Sequence, residues 1–82
     1  MNIYYIWQEE NSGYDTFSNA VVIADSVEEA QATHPYGTEQ FDREGKDDSG
    51  TWADIDKVKV ELIGIADESQ IKGVVSSSFH AG

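Results

Sequence analysis

The chain has no cysteine, one proline and five basic residues, and these shortages exclude several classes of protein. Without cysteine there is no disulfide framework, no thiolate zinc site and no cysteine nucleophile, which fits a reducing cytoplasm. Five Lys and Arg against sixteen Asp and Glu leave a net charge of −11, which excludes nucleic acid as the primary ligand. No apolar run reaches the roughly 20 residues of a membrane span, and no basic segment opens a signal peptide. We expect a soluble, intracellular protein.

The composition that is present predicts one folded domain. A chain of 82 residues buries only about 60–65% of the surface that its unfolded form exposes, which leaves no material for a second core. An apolar fraction of 39% indicates a packed core in spite of the charge. We expect residues 1–82 to form a single domain.

Four segments have strand character. Residues 3–8 are aromatic and β-branched with apolar groups on both faces, which predicts a central strand. Residues 16–24 follow a polar, turn-rich loop and predict the second strand of an antiparallel hairpin. Residues 57–62 alternate polar and apolar side chains, which places Val58, Val60 and Leu62 toward the core, and Gly64 indicates either a bulge or a close backbone approach. The serine-rich residues 73–79 predict a last strand at the edge of the sheet.

One short helix is predicted between the second and third strands. Ser26 is followed three residues later by Glu29, the spacing of a capping box, so the helix begins there. Pro35 disfavours helical geometry in the residue before it, which predicts an end at His34. The order β-β-α-β-β indicates a small α+β domain with a mostly antiparallel sheet of three to four strands and one short helix.

Residues 35–51 form a long connection with many charges and few aliphatic side chains. A connection of this length in a small domain is usually functional or mobile, so it is the main candidate for contact with a partner. Tyr36 and Phe41 allow the alternative that the loop is anchored to the body of the domain.

The sequence offers no catalytic or metal-binding signature. No G-x-S-x-G elbow surrounds any serine, and His34 is interpreted as a helix-terminal residue whose positive charge complements the negative helix end. Acidic residues crowd positions 42–56, but their spacing does not match the ligand positions of an EF-hand loop. No phosphate-binding glycine loop occurs. We expect no catalytic residue, no cofactor and no metal.

The charge is unevenly distributed along the chain. Residues 1–42 contain eight acids and no Lys or Arg, a charge of −8, whereas residues 43–82 contain eight acids and all five bases, a charge of −3. Carboxylates in the first half have no cation of their own segment, so they repel one another unless solvent, salt or a basic partner screens them. A basic partner explains this distribution, although acidity that serves only solubility explains it as well.

Four segments carry a resemblance to known proteins. They are YYIW near the start, YDTFSNAVVIADSVEEAQATHPYG, TWADIDKVKVELIGIAD and the closing GVVSSSFHAG. This pattern resembles small acidic proteins encoded by bacteriophages and prophages. The resemblance implies an inhibitor of bacterial defence, a class that includes anti-CRISPR and anti-restriction proteins, some of which imitate DNA. It carries no functional residue over to this chain.

Charge and resemblance together lead to the expected function. We expect a non-enzymatic phage-type inhibitor in the cytoplasm of the bacterial host that binds a basic, nucleic-acid-handling surface of a CRISPR effector or restriction enzyme. The alternatives are a small phage structural or accessory module that assembles through its sheet edge, and a binder of a small anionic molecule; a homodimer is left open. The expected partner-binding residues are Glu9, Glu10, Asp15, Glu28, Glu29, Glu39, Asp42, Glu44, Asp47 and Asp48.

Overall fold

The computed structural model describes residues 1–80, apart from the side chains of Thr38 and His80. Its strands are Asn2–Trp7 (β1), Thr16–Ala24 (β2), Lys59–Ile65 (β3) and Gly73–His80 (β4), and they form one antiparallel sheet in the order β3-β1-β2-β4. One helix, Val27–Gln31 (α1), follows β2 and contacts the three strands β1, β2 and β3. The predicted α+β class, hairpin and element order are confirmed.

The two strands of the hairpin occupy the centre of the sheet. β1 pairs with β2 from Asn2 opposite Ala24 to Trp7 opposite Asn19, and its other side pairs with β3. β4 pairs only with β2, so it is the edge strand that the serine-rich sequence predicted. A central β1 explains why its residues are apolar on both faces.

The core lies between one face of the sheet and the segments that cross it. Ile6 and Val22 are fully buried on the central strands, and Trp52 and Val58 cover them from the chain that leads to β3. Ala30 of α1 is also fully buried. The helix thus presents a small side chain to the sheet, which lets its backbone approach the strands closely.

The third strand begins later than its polar and apolar alternation predicts. The residues Ile55–Lys57 form a 3₁₀ turn, so β3 starts at Lys59. Val58 is buried as expected, but Leu62 is 57% exposed, which contradicts its predicted place in the core. The partners of Ile3 and Tyr4 are Gly64 and Leu62, so the predicted bulge is present at this point. Leu62 pairs with Tyr4 of β1, but β3 is an edge strand, so no strand lies on its other side.

The helix begins as the capping signal predicts. The backbone N–H of Glu29 donates to Oγ of Ser26 over 3.1 Å, and Oε1 of Glu29 accepts from the N–H of Asp25 over 3.0 Å. The helix then ends at Gln31, three residues before the predicted end at His34. The helix therefore ends before the residue that Pro35 restricts, and His34 lies outside it in a buried hydrogen-bond network.

The long loop is attached to the body of the domain. Thr38–Gln40 form a 3₁₀ turn, and Phe41 and Asp47 pair as an isolated antiparallel bridge. The ring of Phe41 packs edge-on against the imidazole of His34 with 4.8 Å between centroids, which confirms Phe41 as an anchor. Across residues 1–80, no helix has the length and apolar character that crossing a membrane requires.

Candidate functional site

A buried polar cluster joins the end of the helical segment to the long loop. Nε2 of His34 lies 2.8 Å from Oδ1 of Asp47, and the two side chains are 0% and 6% exposed. Oδ1 of Asp47 also accepts from the hydroxyl of Ser49 over 2.7 Å, and Oδ2 accepts from the backbone N–H of Trp52 over 3.1 Å. The carboxylate of Asp47 therefore binds His34 and both ends of the segment 49–52.

The cluster contains serine, histidine and aspartate, but their order does not suit nucleophilic catalysis. Nδ1 of His34 accepts from the backbone N–H of Tyr36 over 3.0 Å, so the ring proton lies on Nε2 and is donated to Asp47. The hydroxyl of Ser49 is bonded to the same carboxylate, and no imidazole nitrogen is left to take its proton. The arrangement holds the loop in place. The interpretation of His34 as a charged helix terminus is wrong.

Asp47 is the one predicted contact residue that the fold removes from the surface. Burial alone raises the pKa of Asp47, but the hydrogen bonds from His34, Ser49 and Trp52 together outweigh burial, and its pKa lies below the ordinary value. The carboxylate oxygens of Asp47 are already bonded to groups within the domain, and contact between Asp47 and a partner stays a prediction.

The remaining predicted acids divide between two ends of the sheet. Glu10 and Asp15 lie on the hairpin loop at the start of β2, whereas Glu28 and Glu29 lie in the first turn of α1, just after the end of β2. The nine residues of this strand place roughly 25 Å between the two groups at about 3.3 Å per residue. A partner that contacts both groups therefore needs a basic surface at least that long.

Two lysines of the second half pair with acids of the first half. Nζ of Lys59 lies 3.0 Å from Oε1 of Glu9, and this hydrogen bond lowers the pKa of Glu9. Nζ of Lys72 contacts Asp25 and Glu29, and its hydrogen bond to Asp25 lowers the pKa of that carboxyl. The fold thus supplies the cations that the first half lacks in its own segment. These exposed pairs are weak and are screened by salt.

The hairpin loop and the long loop meet at the Thr16 end of β2. The amide of Asn11 donates to the carbonyl of Gly50 over 2.8 Å, and the N–H of Phe17 donates to the carbonyl of Thr51 over 2.7 Å. Two residues before Gly50, the exposed Asp48 is brought to the same end as the hairpin loop. Predicted acids that are distant in sequence therefore lie on loops that are joined in the fold.

We use the name acidic end for the exposed acids on these two loops. They take part in no ion pair within residues 1–80, and they are Glu10, Asp15, Glu39 and Asp48. We leave Asp42 and Glu44 out of this set, because they belong to a tight turn in which Oδ1 of Asp42 accepts the backbone N–H groups of Glu44 and Lys46. In the part of the chain that the structure describes, no three His, Asp or Glu side chains converge as metal ligands do.

A buried glutamine fixes the shape of the hairpin loop. Nε2 of Gln8 donates to the carbonyls of Asn11 and Phe17 over 2.7 and 2.8 Å, and Oε1 accepts the backbone N–H groups of Glu10 and Asn11, both over 2.8 Å. All four hydrogen-bonding positions of the amide are thus used inside the domain. The side chain of Gln8 therefore holds the loop that carries Glu10 and Asp15 in one conformation.

Beside the acidic end, three aromatic side chains line an open cleft of about 490 Å³. The centroids of Phe17 and Phe79 lie 4.7 Å apart, and those of Phe17 and Tyr36 lie 6.4 Å apart. Tyr36 is 60% and Phe79 47% exposed, and Asp15 and Thr51 complete the lining. The sequence offered Tyr36 as an anchor of the long loop, and the cleft was not predicted. The cleft depends on the pairing of Phe17 with Phe79, which no local pattern reveals.

Comparison of the chain with protein-family models, with curated proteins and with solved structures returned no match. Function is therefore inferred from the charge, the loops and the cleft described above, and from the sequence resemblance.

Proposed function

We propose that the protein is a non-enzymatic inhibitor of phage type that binds a basic, nucleic-acid-handling surface of a bacterial defence complex. The observation that carries the proposal is the acidic end, where two joined loops carry four exposed carboxylates that pair with no cation of residues 1–80. The resemblance to phage and prophage proteins favours a CRISPR effector or a restriction enzyme as the complex that provides the basic surface.

The physical reason is competition for sites built to receive phosphate. Duplex DNA carries one negative charge per about 1.7 Å of its axis, and a groove that binds it is lined with Lys and Arg. A domain with a net charge of −11 is steered toward such a groove and excludes nucleic acid by occupying it. The hydrogen bonds of Gln8 hold the hairpin loop in one conformation, so part of the entropy of ordering this surface is lost on folding and not on binding.

The first experiment identifies the partner and tests for competition. The immobilised protein is incubated with lysate of a bacterium that carries CRISPR and restriction systems, at low and at high salt, and the bound complex is then challenged with its own nucleic acid. We expect one defence complex that elutes with salt and is displaced by nucleic acid. Capture that nucleic acid does not displace contradicts the proposal.

The second experiment locates the contact with two sets of variants of equal charge. The test set is Glu10→Lys, Glu39→Lys and Asp48→Lys at the acidic end, and the control set is Asp56→Lys, Glu61→Lys and Glu68→Lys elsewhere on the surface. Each set changes the net charge by three times two, from −11 to −5. We expect the test set to weaken binding at least tenfold more than the control set. Equal losses would show that only the net charge matters.

A second candidate function is assembly through a sheet edge, and the composition of β4 favours it. The edge strand Gly73–His80 contains no Asp, Glu, Lys or Arg, although the chain is strongly acidic, and Val74 and Val75 are exposed on it. Edge strands without charge or proline are open to pairing with another strand. Two copies meeting there bring no carboxylates of this strand against each other.

Light scattering after size exclusion separates the two candidates. Assembly through β4 predicts a dimer whose mass does not change with salt and which Val75→Lys converts to a monomer. Ile65→Lys, at an exposed position of the opposite edge strand, is the matched control and leaves the dimer intact. A monomeric parent protein rejects assembly as the function.

A further inference from the structure

The aromatic cleft and its carboxylate have a chemistry of their own. We propose that the cleft lined by Phe17, Tyr36, Phe79 and Asp15 receives the side chain of an arginine that the partner presents, and so forms the centre of the contact. This inference rests on the proposed function, because it names the group of the basic surface that docks at the acidic end.

The lining groups favour a cation with a flat, weakly hydrated face. The faces of aromatic rings carry negative electrostatic potential, and guanidinium groups stack on them while they bond a carboxylate through their edge. Tyr36 and Phe79 have about half of their surface open to solvent, so a guest reaches their rings without unfolding the domain. The carboxylate of Asp15 supplies the acceptor at the same cleft.

Among the residues whose side chains the structure describes, the lining holds no basic group, and this makes the cleft selective. The described lining is Asp15, Phe17, Tyr36, Thr51 and Phe79, so an anion meets a carboxylate there and the field of the acidic end. A neutral apolar side chain leaves the Asp15 carboxylate without a partner. A cation on an apolar stem satisfies both parts of the lining, and arginine adds planarity that matches the rings.

The turn that carries Asp15 is shaped before binding. Asp15 has a φ of 59°, in the left-handed region that aspartate and asparagine tolerate better than most residues. The hydroxyl of Thr16 donates to the carbonyl of Gly13 over 2.6 Å and closes this turn. On the other side, the N–H of Phe17 holds Thr51 through a backbone hydrogen bond. The carboxylate and the rings are therefore placed by separate backbone constraints.

The experiment is an NMR titration of the ¹⁵N-labelled full chain with three small probes. They are the blocked amino acids N-acetyl-arginine methylamide, its lysine counterpart and its citrulline counterpart, which keeps the shape of arginine without the charge. We expect amide shifts for the arginine probe that are confined to the cleft, weaker shifts for lysine and none for citrulline. Equal binding of citrulline, shifts spread over all exposed carboxylates, or no shift with any probe overturns the inference.

Variants assign the binding to the lining. Asp15→Asn keeps a residue that tolerates the left-handed turn and removes the charge, and Tyr36→Ala removes one ring at an exposed position. We expect each to weaken arginine binding about threefold or more, the range of one exposed cation–π or charged contact. Glu44→Gln and Ile71→Ala are the matched controls for charge and for apolar surface, and they leave binding unchanged. The amide spectra report whether each variant is folded.

A polybasic probe separates this inference from the proposed function. An octa-arginine peptide is titrated into the parent and the variants. If binding persists in Asp15→Asn and Tyr36→Ala but is lost on charge reversal at the acidic end, the proposed arginine site in the cleft is contradicted and the proposed role of the acidic end is supported. Binding of the arginine probe in the cleft with no basic defence complex captured from lysate supports the cleft and contradicts the proposed function.

Discussion

Replacing Asp47 by alanine is the most informative single change, because its carboxylate accepts hydrogen bonds from three other residues. The substitution leaves the N–H groups of His34 and Trp52 and the hydroxyl of Ser49 without their acceptor in a site that is almost fully buried. Each unsatisfied buried donor costs about 1–3 kcal/mol. For three such donors we take a value near the lower end, about 4 kcal/mol, as the expected loss in the free energy of unfolding.

That loss is large for a domain of this size. At about 0.05–0.15 kcal/mol per residue, 82 residues give an unfolding free energy of roughly 4–12 kcal/mol. Asp47→Ala is therefore expected to remove at least a third of the stability and to release the anchored part of the loop. Urea unfolding followed by tryptophan fluorescence measures the change, since Trp52 is buried beside the cluster.

The neighbouring acid provides the control. Asp48 is exposed and its side chain makes no hydrogen bond within the described residues, so Asp48→Ala is expected to shift the unfolding free energy by less than about 0.5 kcal/mol. A value for Asp47→Ala that matches Asp48→Ala refutes the reasoning, because it would mean that the carboxylate does not hold the loop.

Three further predictions concern pH and local structure. The pKa of Asp47 is lowered in the folded protein, so its contribution to stability is complete above the unfolded pKa of about 3.9 and is lost as the pH falls through the lower folded pKa. We therefore expect the difference in unfolding free energy between the parent and Asp47→Asn, measured by urea unfolding, to become smaller in acid. Gln8→Glu replaces a donor that faces two backbone carbonyls and is expected to cost about 2–3 kcal/mol, whereas Gln70→Glu on an exposed turn changes the urea midpoint little. Ser26→Ala removes the helix cap and is expected to lower stability by about 1 kcal/mol in the same assay, with the exposed Ser12→Ala as the neutral comparison.

Features that depend on neighbours in sequence were predicted well. The strand at residues 16–24 is found at the predicted bounds, and the cap formed by Ser26 and Glu29 is present, because both arise from contacts within a few residues. The edge position of β4 follows from its serine-rich composition in the same way. Local propensity and capping chemistry decide these features before the chain is compact.

Features that depend on distant residues were missed. The burial of Asp47 follows from its meeting His34 across the loop, and the exposure of Leu62 follows from the place of β3 at the edge. The aromatic cleft needs Phe17 and Phe79, which are adjacent only because β2 and β4 pair. The strand pairing and the loop contacts that decide where these side chains lie are not visible in the local sequence. The sequence around each of them does not distinguish it from another acid, leucine or phenylalanine.

The salt dependence of partner binding is the most direct test of the proposal that the acidic end binds a basic surface. Dissociation constants for the captured defence complex are measured from low to high salt for the parent protein and for the two sets of charge-reversed variants. The account predicts a steep loss of affinity with salt for the parent and the control set, and a distinctly shallower slope for the set at the acidic end. A parent slope near zero, or the same slope for all three proteins, would contradict it.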